Sequence, residues 1–315
     1  MERSRIAVVI PLYNGSRYIR QAIDSVLRQT RRPDRIVVVN DGSTDDGAEV
    51  IATAYPQHAV EIIHTENGGQ SRARNIGVQA AAGCGRIAFL DQDDVWYPEH
   101  LAILEQVFLD SGTERLAYAY SNLDQIDEKG WRLHQSVLDL VAGPRQKTKL
   151  HELIGFDVFV LPSASLVDRA AFLTVGGFDE QLSGYEDDDL FLRLFLAGFE
   201  HAYVPTPLSQ WRIYEESSSR SPRMRRSRLI YAKKLLGMFP KEFTAGLDYP
   251  GDVVWPRFSR ILRSEMKRAL RANDRAAFHA LADDFVHIAK AANCYGLRSR
   301  MMVAKYRLRA MLRVA

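Results

Sequence analysis

Phe89-Leu90-Asp91-Gln92-Asp93-Asp94-Val95-Trp96 runs an apolar strand pattern directly into three carboxylates and an aromatic residue. A strand beginning at Arg86 would be buried on both faces through Ile87, Ala88, Phe89 and Leu90. Asp91, Asp93 and Asp94 then arrive together at its carboxyl end, where open α/β sheets bind their ligands. Acids at this density repel one another unless hydrogen-bond donors or a cation compensate, and a hard divalent ion with oxygen ligands, Mg2+ or Mn2+, is the usual partner. The competing reading is an acidic turn that caps the helix starting near Pro98.

Upstream, the same alternation repeats. Ile6 to Tyr13 is a continuous apolar run, and a helix follows with Ser16 as its cap and Ile19, Ala22, Ile23, Val26 and Leu27 on one face. Arg35 to Val39 is a second strand ending at Asn40-Asp41-Gly42-Ser43, and Thr44-Asp45-Asp46 opens a helix to about Tyr55. A strand at Val60 to His64 and a helix from Ser71 to about Ala82 complete the approach to the Phe89 strand. Strands separated by helices of this length imply right-handed crossovers and a mostly parallel sheet with helices on both faces. Its carboxyl rim carries Tyr13, Asp41 and the acids at 91 to 94, so three strands deliver polar groups to one edge.

The turn after the first strand, Tyr13-Asn14-Gly15-Ser16-Arg17, holds a single glycine. Neither a dinucleotide fingerprint nor a phosphate-binding loop with Gly-Lys-Ser/Thr is present, which removes support from hydride transfer and ATP hydrolysis. Downstream, a helix runs from Pro98 to about Asp110, a strand covers Leu116 to Tyr120, and alternation returns at Val158 to Val167. Gly176-Gly177-Phe178-Asp179 then turns into a second acidic cluster, Glu186-Asp187-Asp188-Asp189, at the start of a helix whose apolar face is Leu190, Leu194 and Phe195. Negative charge in a first helical turn meets the helix dipole favourably, but four acids exceed what capping needs. Two carboxylate clusters invite a division in which one holds a metal and the other does acid/base work.

Seven stretches in this order resemble glycosyltransferase family 2: Val8 to Asn14, Ser25 to Thr30, Asn40 to Asp45, Asn67-Gly68-Gly69 with Ala73 to Gly77, Asp91 to Trp96, Gly177 to Glu180, and Glu186-Asp187 with Arg193. The resemblance covers residues 5 to 222 and implies a GT-A fold, a nucleotide-diphosphate sugar donor, usually a UDP-sugar, a divalent cation, and inverting transfer to an acceptor hydroxyl. By that resemblance Asp41 hydrogen-bonds the nucleobase, and Pro11 and Tyr13 pack on base and ribose. Asp91 and Asp93 form the Asp-x-Asp pair, with Asp93 the direct metal ligand and Asp94 a further contributor. Asp187 is the base, Glu186 its positioning partner, and Arg212 can meet the diphosphate; by position rather than resemblance, Arg72 and Arg74, at a helix start beside the Asn67-Gly68-Gly69 loop, can touch phosphate. Two positions depart from the pattern. Asn40 stands where Asp is common, and Tyr214, a poor ligand when neutral, replaces a His in Trp211-Arg212-Ile213-Tyr214.

Composition is that of a soluble globular protein, with 46% apolar and 26% charged residues. No run of 18 apolar residues occurs and the amino terminus enters a strand pattern at once, so a cytoplasmic protein is expected, with the inner face of the plasma membrane as a peripheral location. Cys84 and Cys294 lie far apart without a metal-ligand spacing, which argues against a disulfide framework or structural zinc. Residues 223 to 315 carry 21 Lys and Arg against 7 Asp and Glu, whereas residues 1 to 222 carry 21 against 32. The charge boundary falls at the polar stretch 215 to 222 and divides a GT-A domain, 1 to 222, from a basic helical region, 223 to 315. Helices are expected at Arg226 to Met238, Trp255 to Arg271, Arg275 to Ala292 and Leu297 to Leu312. In the second of these, Ile261, Leu262, Met266, Ala269 and Leu270 alternate with Arg260, Arg263, Lys267, Arg268 and Arg271. Such a helix can lie on an anionic membrane, pack on the acidic body or join a homodimer. No aromatic-interleaved motif points to nucleic acid.

These readings lead to a sugar transferase of cell-surface polysaccharide or glycolipid synthesis, acting on a sugar or lipid-linked sugar acceptor. A sugar nucleotidyltransferase is the enzymatic alternative, disfavoured by the missing Gly-rich basic loop. A non-catalytic nucleotide-sugar or polysaccharide-binding assembly protein is the alternative from another class.

Overall fold

A computed structural model describes residues 3–141, 145–214, 222–239 and 246–312. Four parallel strands, β1 (Ile6–Leu12), β2 (Arg35–Asp41), β3 (Glu61–Thr65) and β4 (Arg86–Phe89), lie in the order β3-β2-β1-β4. The crossovers are α1 (Ile19–Leu27), α2 (Gly47–Ala54) and α3 (Gln70–Ala80). Val8 is opposite both Ile36 and Ala88, which places β1 at the centre of this half. Every residue of β1 is buried because both faces are covered. Its alternation feeds two cores: Ile6, Val8, Ile10 and Leu12 join Ile19, Ile23 and Val26 of α1, and Ala7 and Val9 join Val78 of α3 and Phe89. Gly77 of α3 rides directly over Val9, and a Cβ there would stand 2.3 Å from Val9 Cγ1.

The sheet continues beyond β4 through a mixed half. The strands β5 (Val95–Trp96), β6 (Leu116–Ile126), β7 (Arg132–His134), β8 (Ser165–Asp168) and β9 (Glu200–Arg212) extend the path as β4-β8-β6-β9-β5, with β7 on β6. β8 is antiparallel to β4 and β6, β9 is parallel to β6, and β5 is antiparallel to β9. Helices α4 (His100–Asp110), α5 (Leu150–Gly155), α6 (Arg169–Thr174) and α7 (Glu186–Leu196) punctuate this half of the sequence.

Three expectations change. The alternation at 158 to 167 yields strand only at Ser165–Asp168, after a single turn at Pro162–Ala164. Ser16 does not cap α1; Tyr18 occupies the N-cap without a side-chain bond, and the Ser16 N–H is instead donated to Asp45 Oδ2 at 2.8 Å. The 13-residue β9 is absent from the sequence reading because Pro205 and Pro207 interrupt its pattern. The structure places these prolines where the register with β6 shifts, between Ser121 and Asn122.

The chain divides into two units, one of Met1–Lys147 and Val158–Met224, the other of Thr148–Asp157 and Arg225–Ala315. Residues 148 to 157, grouped with the first domain from sequence, belong to the second, where Arg257 Nη1 donates to Ile154 O at 3.1 Å. The second unit contains α8 (Pro222–Met238) from Arg225 onward, then α9 (Trp255–Arg271), α10 (Arg275–Ala291) and α11 (Leu297–Leu312). In α9, Phe258, Leu262, Met266 and Ala269 are buried, and the helix packs along α10 with Trp255 edge-on to Phe285 at 4.8 Å. The apolar side of α9 is therefore consumed inside the unit. Among the described residues no helix is long and apolar enough to cross a membrane.

Candidate active site

The ends of β1, β2 and β4 converge on one cleft of about 370 Å³, whose walls include Pro11, Tyr13, Asp41, Asp91 and Asp93. Chain direction explains the convergence, since parallel strands bring their carboxyl ends to the same edge. Two clasps shape it. The Gln92 side-chain amide accepts the Tyr13 N–H at 2.8 Å and donates to Tyr13 O at 3.1 Å, fastening the segment after β4 to that after β1. The Asp41 carboxylate accepts the N–H groups of Gly68 and Gly69, each at 2.8 Å, while Asn67 Nδ2 donates to Asp41 O at 2.9 Å. Gly42, at φ +69°, lets this turn close; a Cβ there would meet Asn67 N at 2.8 Å. Asn40 is spent on the turn itself, accepting the Ser43 N–H at 3.0 Å and contacting His64 Nδ1 at 3.2 Å.

The three acids after β4 have three fates. Asp91 lies on the cleft wall and is salt-bridged to Arg74. Asp93 also faces the cleft, and its Oδ2 accepts the Tyr214 hydroxyl at 2.8 Å. Burial, reinforced by the charge of Asp91, pushes the Asp93 carboxyl up to about 6 against the hydrogen bond from Tyr214. Asp94 turns away. It is buried, its Oδ1 accepts the Arg212 N–H at 3.0 Å, and burial and then the charges of Asp93 and Asp91 raise its pKa well above the usual range. It fastens the β4–β5 loop to β9.

Two cleft-facing carboxylates fit a hard divalent ion completed by water and substrate oxygens, and the like-charge pressure on Asp93 is what such an ion relieves. Among the described residues no group of three or more His, Cys, Asp or Glu side chains stands ready to hold a metal without that help. Tyr214 lines the cleft as a neutral donor, because burial and then Asp93 hold its phenol well above the usual value.

Arg74 brings the two acidic clusters together. It is buried, donating from Nη2 to Asp91 Oδ1 and from Nη1 to Glu186 Oε1, the latter at 2.9 Å. Gln70, on the cleft wall, donates to the same Glu186 oxygen. Arg74 thus spends its fork on carboxylates of the chain. Arg212 is also buried, with Nε on Asp93 O at 2.8 Å, Nη1 on Asp127 O at 3.0 Å and Nη2 on Gln21 Oε1 at 2.9 Å. It holds the loop after β6.

In α7 the four acids also part. Glu186, Asp188 and Asp189 are buried, whereas Asp187 is not. Asp188 Oδ1 accepts the Val158 N–H at 2.8 Å, and Asp189 pairs with Arg193 at 2.8 Å. Arg193 in turn donates to Gly177 O at 2.6 Å, so this part of the motif is architecture. Tyr185, at φ +63°, precedes the helix and sets its start. Sequence reasoning missed Gln92 and Ser163, whose Oγ accepts the Asp91 N–H at 2.9 Å. The position of Gln92 between two site acids was a usable signal; Ser163 offered none.

The profile of glycosyl transferase family 2 matches residues 7–175. An uncharacterized glycosyltransferase of Rickettsia felis is 32% identical over 216 residues, covering 68% of this chain and 35% of that protein. RP339 of Rickettsia prowazekii, also described as an uncharacterized glycosyltransferase, is 33% identical over 199 residues, 60% of this chain and 58% of the relative. The chain thus spans about a third to three-fifths of these curated relatives' lengths. Glycosyltransferase GlyG of Streptococcus pneumoniae is 25% identical over 296 residues, 88% of this chain and 91% of the relative. A crystal structure of S. aureus TarS 1-349 in complex with UDP-GlcNAc superposes with a TM-score of 0.65 at 16% identity, over 97% of this chain and 88% of that one. At that identity the likeness is one of fold, the mixed α/β GT-A architecture with a helical C-terminal region.

Proposed function

The chain belongs to glycosyl transferase family 2, and from that premise we propose that it is a glycosyltransferase that moves a sugar from a nucleotide-diphosphate donor, a UDP-sugar, to an acceptor hydroxyl with inversion. The observation that carries this reading is the convergence of Tyr13, Asp41, Asp91 and Asp93 on one cleft. A UDP-sugar is supported by the TarS structure of the same fold, solved with UDP-GlcNAc. Asp41 is suited to a nucleobase N–H. Gly68 and Gly69 fix its carboxylate, and each oxygen keeps a second lone pair. The exposed ring of Tyr13 and the neighbouring Pro11 give the base and ribose a surface to pack on.

Asp91 and Asp93 would hold Mg2+ or Mn2+, which would neutralise the departing nucleotide diphosphate. Asp187, the acid of its cluster left partly open, takes the proton from the acceptor hydroxyl. As that oxygen bonds to the anomeric carbon from one face, the bond to the diphosphate oxygen breaks on the other, and the configuration inverts. Glu186, anchored by Gln70 and Arg74, sets the start of the helix that carries Asp187. The acceptor in this reading is a sugar or lipid-linked sugar of a cell-surface polysaccharide.

Calorimetric titration of UDP, GDP and TDP, with and without Mn2+, against the wild type and Asp93→Ala tests it. Metal-dependent binding of UDP that the variant loses is expected. Binding of none of the three would overturn the transferase reading and favour an assembly protein.

A further inference from the structure

Arg260, Arg263 and Lys267 stand on the outer side of α9 and line a cleft of about 650 Å³ with Trp255, Ser259 and Ser264. Their spacing puts them on one helical face over about 10 Å of axis. All three are exposed. None forms an ion pair among the described residues, and three acids of this unit are engaged elsewhere: Glu265 with Arg228, Asp284 with Arg225, and Asp274 as the cap of α10. Three unpaired cations in one recess repel each other, and an anion is what offsets that repulsion. The recess is also built. Trp255 packs edge-on against Phe285, and the Arg263 guanidinium lies 5.8 Å from the same ring, so aromatic and cation are steadied by one neighbour in α10.

We propose that this cleft is a second binding site, for a phosphate-bearing sugar chain. Guanidinium groups and an ammonium take phosphate oxygens, Trp255 offers a ring for a sugar face, and the exposed Ser264 hydroxyl can meet sugar hydroxyls. The buried opposite side of α9 leaves no apolar face to insert alongside the charges. The proposal rests on the second unit alone and stands whether or not the first transfers sugar.

The test is titration of the full chain, without divalent metal, by inorganic tripolyphosphate. Glucose 6-phosphate, inorganic phosphate, and phosphatidylcholine vesicles doped with phosphatidylglycerol serve as competitors. The variant R260Q/R263Q/K267Q removes the cleft charges; R268Q/R271Q/R275Q removes three exposed charges of the same unit outside it. The expected result is saturable binding, weakened about ten-fold or more in the first variant and within about two-fold of wild type in the second, with both melting like wild type. Glucose 6-phosphate should displace the probe at lower concentration than inorganic phosphate. Equal weakening in both variants, no binding, or competition by the vesicles alone would overturn the proposal, the last in favour of a membrane surface.

Discussion

Tyr214 donates its hydroxyl proton to Asp93 Oδ2 across 2.8 Å, and this bond holds down a carboxyl that burial and Asp91 push up. Tyr214→Phe should therefore raise the Asp93 pKa beyond about 6. A proton then competes with the cation, so Mn2+ uptake followed by electron paramagnetic resonance should fall several-fold near about pH 6 and recover toward about pH 8. Tyr214→His should instead tighten Mn2+, because a neutral imidazole is a metal ligand and a neutral phenol is not. Identical uptake by all three proteins at both pH values would detach Tyr214 from the chemistry of the acid.

Arg74 compensates two carboxylates at once, one of them buried with Glu186 Oε2 already lacking a partner. Arg74→Met should cost about 3–5 kcal/mol in urea unfolding, the usual consequence of leaving a buried charge alone. Adding Glu186→Gln should return part of that loss. A pair of variants whose costs simply add would mean the bridge carries no coupling.

His100 is fully buried and stacked on Trp96 at 4.2 Å, with Nδ1 on Leu208 O at 3.2 Å. Burial lowers its pKa to about 3, partly opposed by that hydrogen bond. In the unfolded chain it titrates near about 6.5, so on acidification the unfolded state takes up a proton first. Its contribution to stability is complete above about pH 6.5 and is lost as pH falls toward about 3. Melting temperatures of wild type and His100→Leu should approach each other as pH drops from about 7.5 to about 4.5. Asp93 and Asp94, with raised pKa values, act in the opposite sense in both proteins, so the difference isolates His100. A constant gap across that range would show that His100 does not titrate differently on unfolding.

Gly77→Ala places a methyl group 2.3 Å from Val9 Cγ1, between α3 and the centre of the sheet. A loss of about 1–3 kcal/mol is expected, relieved when Val9→Ala makes room, and a double-mutant cycle in denaturant measures the coupling.

The parallel half of the fold was legible because each strand is a short run of β-branched and aliphatic residues closed by a turn, as in Ile36 to Val39, with a helical face following. The rim at Tyr13, Asp41 and Asp91 followed from strand direction alone. The mixed half was not legible, since β9 carries two prolines and β5 is two residues long, both stabilised by neighbours distant in sequence. The same distance hid the partners of the charged motifs. Sequence marked Arg74, Arg212 and Asp94 as a functional set by company, yet each also finds counter-groups 17 to 191 residues away inside the fold. Only coordinates separate an arginine that meets a ligand from one that ties two strands.

Gln92 grips Tyr13 through main-chain atoms alone, giving and receiving one hydrogen bond. The aromatic ring at position 13 is not part of that grip. On the proposed reading, exchanging that ring for another side chain would retune which base is preferred while the neighbouring acids keep their places. The middle residue of Asp91-Gln92-Asp93 would then let donor preference and phosphate handling change independently.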